Sequence, residues 1–206
     1  MQPAIVIQNF PDCRFYCVRP QIYRLNSTIL VKGICKMTIE TERLVLVMLK
    51  PKQLKTLAID VSKLEKEMEC SYQGEEIDDV YKNILLTLEA KLIEESNINL
   101  HLWYTFWLII KKEDNVIVGT IDFKGEPNAK GEVEIGYGLG KQHEHHGYMT
   151  EAVQAFCKWG RDKKDIKYII AETKIDNIAS QRVLQRCGFV EYDRDSTIWW
   201  RLYGFK

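Results

Sequence analysis

Glu132 and Glu134 stand two residues apart in the run EVEIGYGLG, residues 132–140, so a strand would present both carboxylates on one side. A carboxylate so placed can act as a general base, an effect typically worth ~10²–10⁴-fold in rate. Glu134 is the candidate and Glu132 the fallback. The run passes into KQHEHHGYMTEA, where Gly147 precedes an amphipathic stretch that reads as a helix from Tyr148. A helix start leaves backbone N–H groups unpaired and carries the positive end of the helix dipole. The amides of Gly147, Tyr148, Met149 and Thr150 therefore suit a phosphate. His145 and His146 lie beside them and, when protonated, add charge of the right sign. HEHHG is not the H-E-x-x-H zinc pattern, because Gly147 occupies the place of the second histidine, and no metal is expected. Further along, DNIASQRVLQRCGF opens another helix, with Asn177 as its cap and Ser180 in its first turn. A strand, an anion-binding helix start and a second helix together suggest an enzyme that grips a phosphate-bearing cofactor and moves a group from it.

The elements that must position these groups follow from periodicity. TIETERLVLVML after Met37 alternates like a strand. Helices are expected from Pro51, over Ser62 to Cys70, and over Ile77 to Glu95, where Ile77, Val80, Tyr81, Ile84, Leu85, Leu88 and Leu92 share a face. Strands are expected over Leu102 to Lys111, Val116 to Phe123 and Glu132 to Leu139. A helix over Tyr148 to Asp162 then buries Ala152, Val153, Phe156 and Trp159. Tyr168 to Thr173 reads as a strand and Ala179 to Cys187 as a helix. Gly188 ends that helix in a left-handed turn, with Phe189 packing back. Two last strands cover Phe189 to Asp193 and Thr197 to Tyr203. This order fits an α/β fold, a mixed sheet with helices on both faces.

At 206 residues the chain is long enough for one well-buried domain and a small appendage. Its 29 basic and 29 acidic residues cancel, so no global field argues for nucleic acid. No apolar run reaches the roughly 20 residues that span a bilayer. No secretory signal opens the chain. The six cysteines form no disulfide framework and read as free thiols in a reducing compartment, so a cytoplasmic location is expected. Residues 1–36 hold five basic groups against Asp12 alone and show no sustained period. They read as a floppy arm, a targeting segment or, preferably, sequence translated from an early start. On each reading the core domain is 37–206.

VEIGYGLG, HGYMTEAV and DNIASQRVLQRCGF, in this order and spacing, resemble the GNAT N-acetyltransferase superfamily. The likeness is greatest to its RimJ/RimL type, the ribosomal-protein-alanine acetyltransferases, and covers about Thr41 to Tyr203. The resemblance implies a mostly antiparallel sheet splayed between two central strands. It implies acetyl-CoA as donor, its pyrophosphate on the loop and helix start, and direct attack by an amine in a ternary complex. Under it Glu134 is the base and Ser180 the acid for the leaving thiolate, with Tyr148 and Tyr192 as further hydroxyl candidates. Asn177 meets the pantetheine, and a backbone N–H near Leu139, freed by the splay, steadies the oxyanion. The acceptor would be an amine-bearing small molecule or a protein N-terminus, and the protein a monomer or homodimer. The family's Gln/Arg-x-x-Gly-x-Gly/Ala loop is here Glu144 to Met149, of which only Gly147 keeps its type. Glu144 would repel a phosphate unless it points to solvent. That departure leaves open a non-catalytic acyl-CoA-binding or regulatory module on the same fold. Some of the aromatics Trp103, Tyr104, Phe106 and Trp107 and the acidic stretch Ser62 to Glu95 are expected to line the acceptor groove, which would suit a cation.

Overall fold

Thr41 decides where the first strand ends. Its hydroxyl accepts the Leu44 N–H at 2.9 Å while its own N–H donates to the Leu44 carbonyl at 3.0 Å. The expected single strand is therefore two, β1 (Thr38–Glu40) and β2 (Leu44–Met48), paired antiparallel. The computed structural model describes residues 37–203 apart from Lys164. The expectations placed on residues 1–36, Cys13, Cys17 and Cys35 included, lie outside the described residues.

Pro51 takes the first position of α1 (Pro51–Ile59), where its missing N–H costs nothing. Asp60 accepts the Lys63 N–H to start α2 (Val61–Met68), and Asp78 accepts the Tyr81 N–H to start α3 (Asp79–Glu94). Such caps are each worth about 1 kcal/mol. β3 (Ser71–Tyr72) is too short to leave an alternating signal and was not expected. The strand expected from Leu102 begins later, as β4 (Phe106–Lys111), because a 3-10 turn takes Ile98–Trp103. β5 (Val116–Phe123) and β6 (Glu132–Leu139) fall as expected. They are followed by α4 (Tyr148–Arg161), β7 (Tyr168–Lys174), α5 (Ile178–Arg186), β8 (Val190–Arg194) and β9 (Thr197–Leu202). Gly188, at φ 85°, closes α5 as expected, with the Phe189 N–H returning to the Leu184 carbonyl at 3.0 Å.

The sheet runs β1-β2-β4-β5-β6-β7-β9-β8, with β3 alongside β5, and is mostly antiparallel. One apolar layer packs on α4 and α5 and includes Trp107, Phe123, Phe156 and Leu184. The other packs on α1 to α3 and includes Leu54, Leu57, Leu85 and Leu108. On α3 only Leu85 and Leu92 are buried, while Val80 and Ile84 of the expected apolar face are exposed.

Two irregularities shape the middle of the sheet. Ile109 pairs with Gly119 but Ile110 pairs with Ile117, so β5 carries an extra residue at Val118. A bulge of this kind turns the following side chains to the other face. Val116 and Val118 pack toward α4, as do Ile121 and Phe123, which leaves Thr120 and Asp122 facing α3. The second irregularity is the seam between β6 and β7. They pair in parallel over three residues only, Glu132–Glu134 with Tyr168–Ile170. Beyond Glu134, β6 keeps β5 as its only ladder partner, up to Leu139.

Candidate active site

The ladder register fixes which amides of β6 are free. The Lys124 N–H donates to the Glu134 carbonyl and the Gly140 N–H to the Val118 carbonyl, so the even-numbered residues of this stretch bond toward β5. The Ile135 N–H faces β7 within the last parallel bridge, Glu134 with Ile170, while the N–H groups of Tyr137 and Leu139 point toward the parted side, where β7 no longer pairs. Leu139 is thus placed where an oxyanion or amide acceptor could meet its N–H, and the Tyr137 amide stands in line with it. Tyr137 braces the opening: its hydroxyl donates to the Ser180 carbonyl in the first turn of α5 at 3.2 Å. Asn177 is occupied as a cap, accepting the Ser180 N–H at 3.0 Å. Asn177, Ser180 and Leu139 are in this way brought to one end of β6.

At the other side of that end, Gly147 caps α4 at φ 80° and ψ 2° and offers no side-chain bond to the helix. The first amides of α4, on Tyr148, Met149 and Thr150, are left to a ligand. The Thr150 carbonyl accepts the Cys187 thiol at 3.5 Å, and burial pushes that thiol up to about 12. His146 donates from Nδ1 to the Glu144 carbonyl at 2.7 Å and stacks on Tyr148, which turns its ring beside the helix start. His145 is exposed, at φ 65°, with its ring 3.9 Å from the Glu144 carboxylate. Glu144 itself is exposed, the orientation that spares a phosphate its charge. Tyr192 lies on the edge strand β8 against Arg201, away from these groups.

A residue from far along the chain completes this corner. Arg43 reaches from β2 to place its guanidinium over the Tyr148 ring, at 4.8 Å, and donates to the His146 carbonyl at 3.0 Å. It also pairs with Glu151 at 2.6 Å. Glu151 further accepts the Thr41 hydroxyl at 2.6 Å and the Arg43 N–H at 2.9 Å. Burial alone would raise the Glu151 carboxyl; the Thr41 and Arg43 donors more than offset it and hold the group below its usual 4.5. A cleft of about 450 Å³ lies here, lined by Arg43, Gly147, Thr150, Gln154 and Arg186 among others. Glu151→Gln is expected to cost roughly 1.5–3 kcal/mol at pH 7, the worth of hydrogen bonds to a charged group. Because the folded carboxyl is depressed, that contribution is present above the unfolded value and is lost as pH falls through the folded one. Urea titrations of both proteins should therefore converge in acid; equal stability at pH 7 would show that the clip carries nothing.

On the α3 side of β5 and β6 lies a second cavity of about 320 Å³. Glu75, Tyr81, Phe106, Thr120, Asp122 and Tyr137 line it, together with the exposed Glu76 and Asp78. Phe106 and part of the acidic stretch are thus where the sequence placed an acceptor groove. Tyr81 and Thr120 share a hydroxyl–hydroxyl bond of 2.9 Å, and Tyr72 donates to the Glu75 carbonyl at 2.8 Å. Burial raises the Glu75 carboxyl, against the Thr120 hydroxyl, which lowers it. Burial lifts Asp122 from 3.8 to about 7, with Lys124 pulling it down and Glu134 and Glu75 pushing it up. Glu134 lies on the same face as Asp122 and forms an ion pair with Lys124. Glu132 is tied to Arg201 at 2.5 Å and to Asn128 at 2.9 Å.

Arg43, Asp122, Tyr137 and Arg186 were not named from sequence, and Glu75 only as one acid of the stretch Ser62 to Glu95. For Asp122 a signal existed: a carboxylate inside the apolar run VIVGTIDF is costly to bury and asks for a reason. Among the described residues no three His, Cys, Asp or Glu side chains gather as a metal site. Cys157 and Cys187 are free thiols, and no described helix is long and apolar enough to cross a membrane.

A sheet parted beside an uncapped helix start defines a class, and comparison with known proteins gives it a name. The acetyltransferase (GNAT) domain profile matches residues 43–190, and the chain belongs to that family. It is 37% identical over 84 residues to the uncharacterized N-acetyltransferase YjdG of Bacillus subtilis (strain 168), covering 41% of this chain and 50% of that protein. It is 30% identical over 97 residues to the ribosomal-protein-serine acetyltransferase of Escherichia coli (strain K12), covering 47% and 54%. The chain spans about half the length of these curated relatives. In fold it is similar to RimL, the ribosomal L7/L12 alpha-N-protein acetyltransferase solved in complex with coenzyme A. That likeness has a TM-score of 0.58 at 18% identity over 81% of this chain and 98% of RimL. The resemblance to the RimJ/RimL type and the mixed, mostly antiparallel fold are borne out.

Proposed function

We propose that the protein is an acetyl-CoA-dependent N-acetyltransferase that passes the acetyl group directly to a primary amine in a ternary complex. One observation supports this most: the start of α4 lacks a side-chain cap, and the Tyr137 and Leu139 amides of β6 lie beyond the last bridge to β7. The Gly147 to Thr150 amides, with Arg186 and His146 nearby, would hold the diphosphate. The Leu139 and Tyr137 amides would hold the extended arm and the thioester oxygen. The coenzyme supplies the activated acetyl group. Acceptor amines would enter from the α3 side, where carboxylates can take their proton, with Glu134 the member named from sequence. Ser180, fixed through its carbonyl by Tyr137, would return a proton to the sulfur. The buried free thiol at Cys157 suits a reducing compartment such as the cytoplasm.

The test is thiol release from acetyl-CoA with a panel of small amines and peptide N-termini, beside calorimetry with coenzyme A. Turnover on at least one amine is expected. Binding of coenzyme A without turnover on any would favour the non-catalytic module. Absence of binding would remove both readings.

A further inference from the structure

On the face of β6 toward α3, Gly136 and Gly138 have no side chains, and two carboxylates from elsewhere stand over them. A Cβ on Gly138 would lie 1.7 Å from the Glu75 carboxyl carbon, and one on Gly136 would lie 2.8 Å from Asp122 Oδ1. Alternate positions on one strand face put the two carboxylates about 7 Å apart. Between Phe106, Tyr81, Thr120 and Tyr137 they form the floor of the 320 Å³ cavity. Asp122 is only 7% exposed, and its carboxylate receives no hydrogen bond from the described residues. A buried carboxylate facing a cavity without a donor is costly unless a cation comes to it. Glu134 already has such a cation in Lys124.

We propose that this cavity receives a small diamine, with Asp122 taking the proton of the amine to be acetylated and Glu75 holding the second ammonium. The inference rests on the transferase reading above. The ammonium gives one proton to Asp122, which passes it by way of the neighbouring Glu134 to solvent. The freed lone pair attacks the thioester carbon, so that a C–N bond forms and the C–S bond breaks. The nitrogen's second surplus proton reaches the departing sulfur through Ser180. Per turnover one proton is released, one amide is formed and one thiol is freed. The rings of Phe106 and Tyr81 would cover the methylene chain between the two nitrogens. A monoamine would leave Glu75 without a partner. The groups facing Asp122 are Glu75, Tyr81 of α3, Lys124 and Glu134, so its charge is set mainly by burial and by these neighbours.

The probes are 1,4-diaminobutane and butylamine, with the wild type, Asp122→Asn, Glu75→Gln and Glu134→Gln. The wild type should favour the diamine by about tenfold or more in kcat/KM, as one charge-assisted contact allows. Asp122→Asn should lose about 10²–10³-fold in kcat, the worth of a general base. It should also lose the acidic limb of the rate profile near pH 7. Glu75→Gln should erase the preference through KM. Calorimetry of 1,4-diaminobutane alone, in two buffers of different ionisation enthalpy near pH 6.5, should show protons released by the wild type and fewer by Asp122→Asn. Coenzyme A affinity should stay unchanged in each variant, which separates these losses from misfolding. Near wild-type turnover and an unaltered pH profile in Asp122→Asn would overturn the proposal, as would equal use of the two amines. A wild type that binds coenzyme A yet acetylates no amine would overturn the transferase reading as well.

Discussion

Gly147→Val should weaken coenzyme A binding by about 100-fold, equivalent to about 2.7 kcal/mol. The residue sits at φ 80°, in the left-handed region that a Cβ-branched side chain scarcely enters. Valine would force the turn into another conformation, and the turn is what aims the first amides of α4 outward. The backbone donors at this corner depend on its shape more than on any side chain, since the family's usual glutamine or arginine is here Glu144. Gly147→Asn, which tolerates the left-handed region, should retain affinity within about tenfold. Both variants keep α4 and its buried face of Met149, Ala152, Val153 and Phe156, so circular dichroism should be unchanged. Equal affinity of the valine variant and the wild type would mean that the diphosphate does not meet this turn.

Asp122 should also dominate the dependence of stability on pH above the range of ordinary carboxylates. Its folded carboxyl titrates near 7 and its unfolded one near 3.8. Between those values the folded protein holds a proton that the unfolded chain has lost, so stability falls as pH rises through this window and levels off above it. The full difference is roughly 4 kcal/mol. Asp122→Asn removes the titration while keeping the shape, and the carboxylate has no hydrogen bonds to forfeit. The variant should match the wild type near pH 4 and exceed it by a few kcal/mol at pH 8. Urea unfolding across that range reads the difference directly, because every other titrating group is common to both proteins. Parallel curves would show that Asp122 is ionised at ordinary cost, for instance by contact with Lys124.

How far these groups were legible depends on whether their causes are local. The bounds of β5 and β6 could be read because alternation and turn-forming residues act within a few positions. Asn177 as a cap and Gly147 at a helix start belong to the same kind of signal. The break at Thr41 was hidden, since it turns on one hydroxyl within an apolar alternation. The bulge at Val118 was hidden too, because it arises from pairing with β4, and it alone sends Asp122 to the α3 face. Simple alternation in VIVGTIDF would have put Thr120 and Asp122 on the side of Val116 and Val118. Glu75 was visible as one acid among many; that Gly138 makes room for it is a fact about two segments 63 positions apart. The same holds for Arg43 and Glu151. The use of the β6 glycines as a floor for carboxylates needs the third dimension.

Cys187 carries one more consequence. With its sulfur against the Thr150 carbonyl and its thiol lifted to about 12, only about 1 molecule in 10⁵ would hold it as the nucleophilic thiolate at pH 7. On the proposed function, the acyl thioester would thus have near it a sulfhydryl too inert to intercept it. Self-modification of the protein is disfavoured by the same desolvation that packs the first turn of α4.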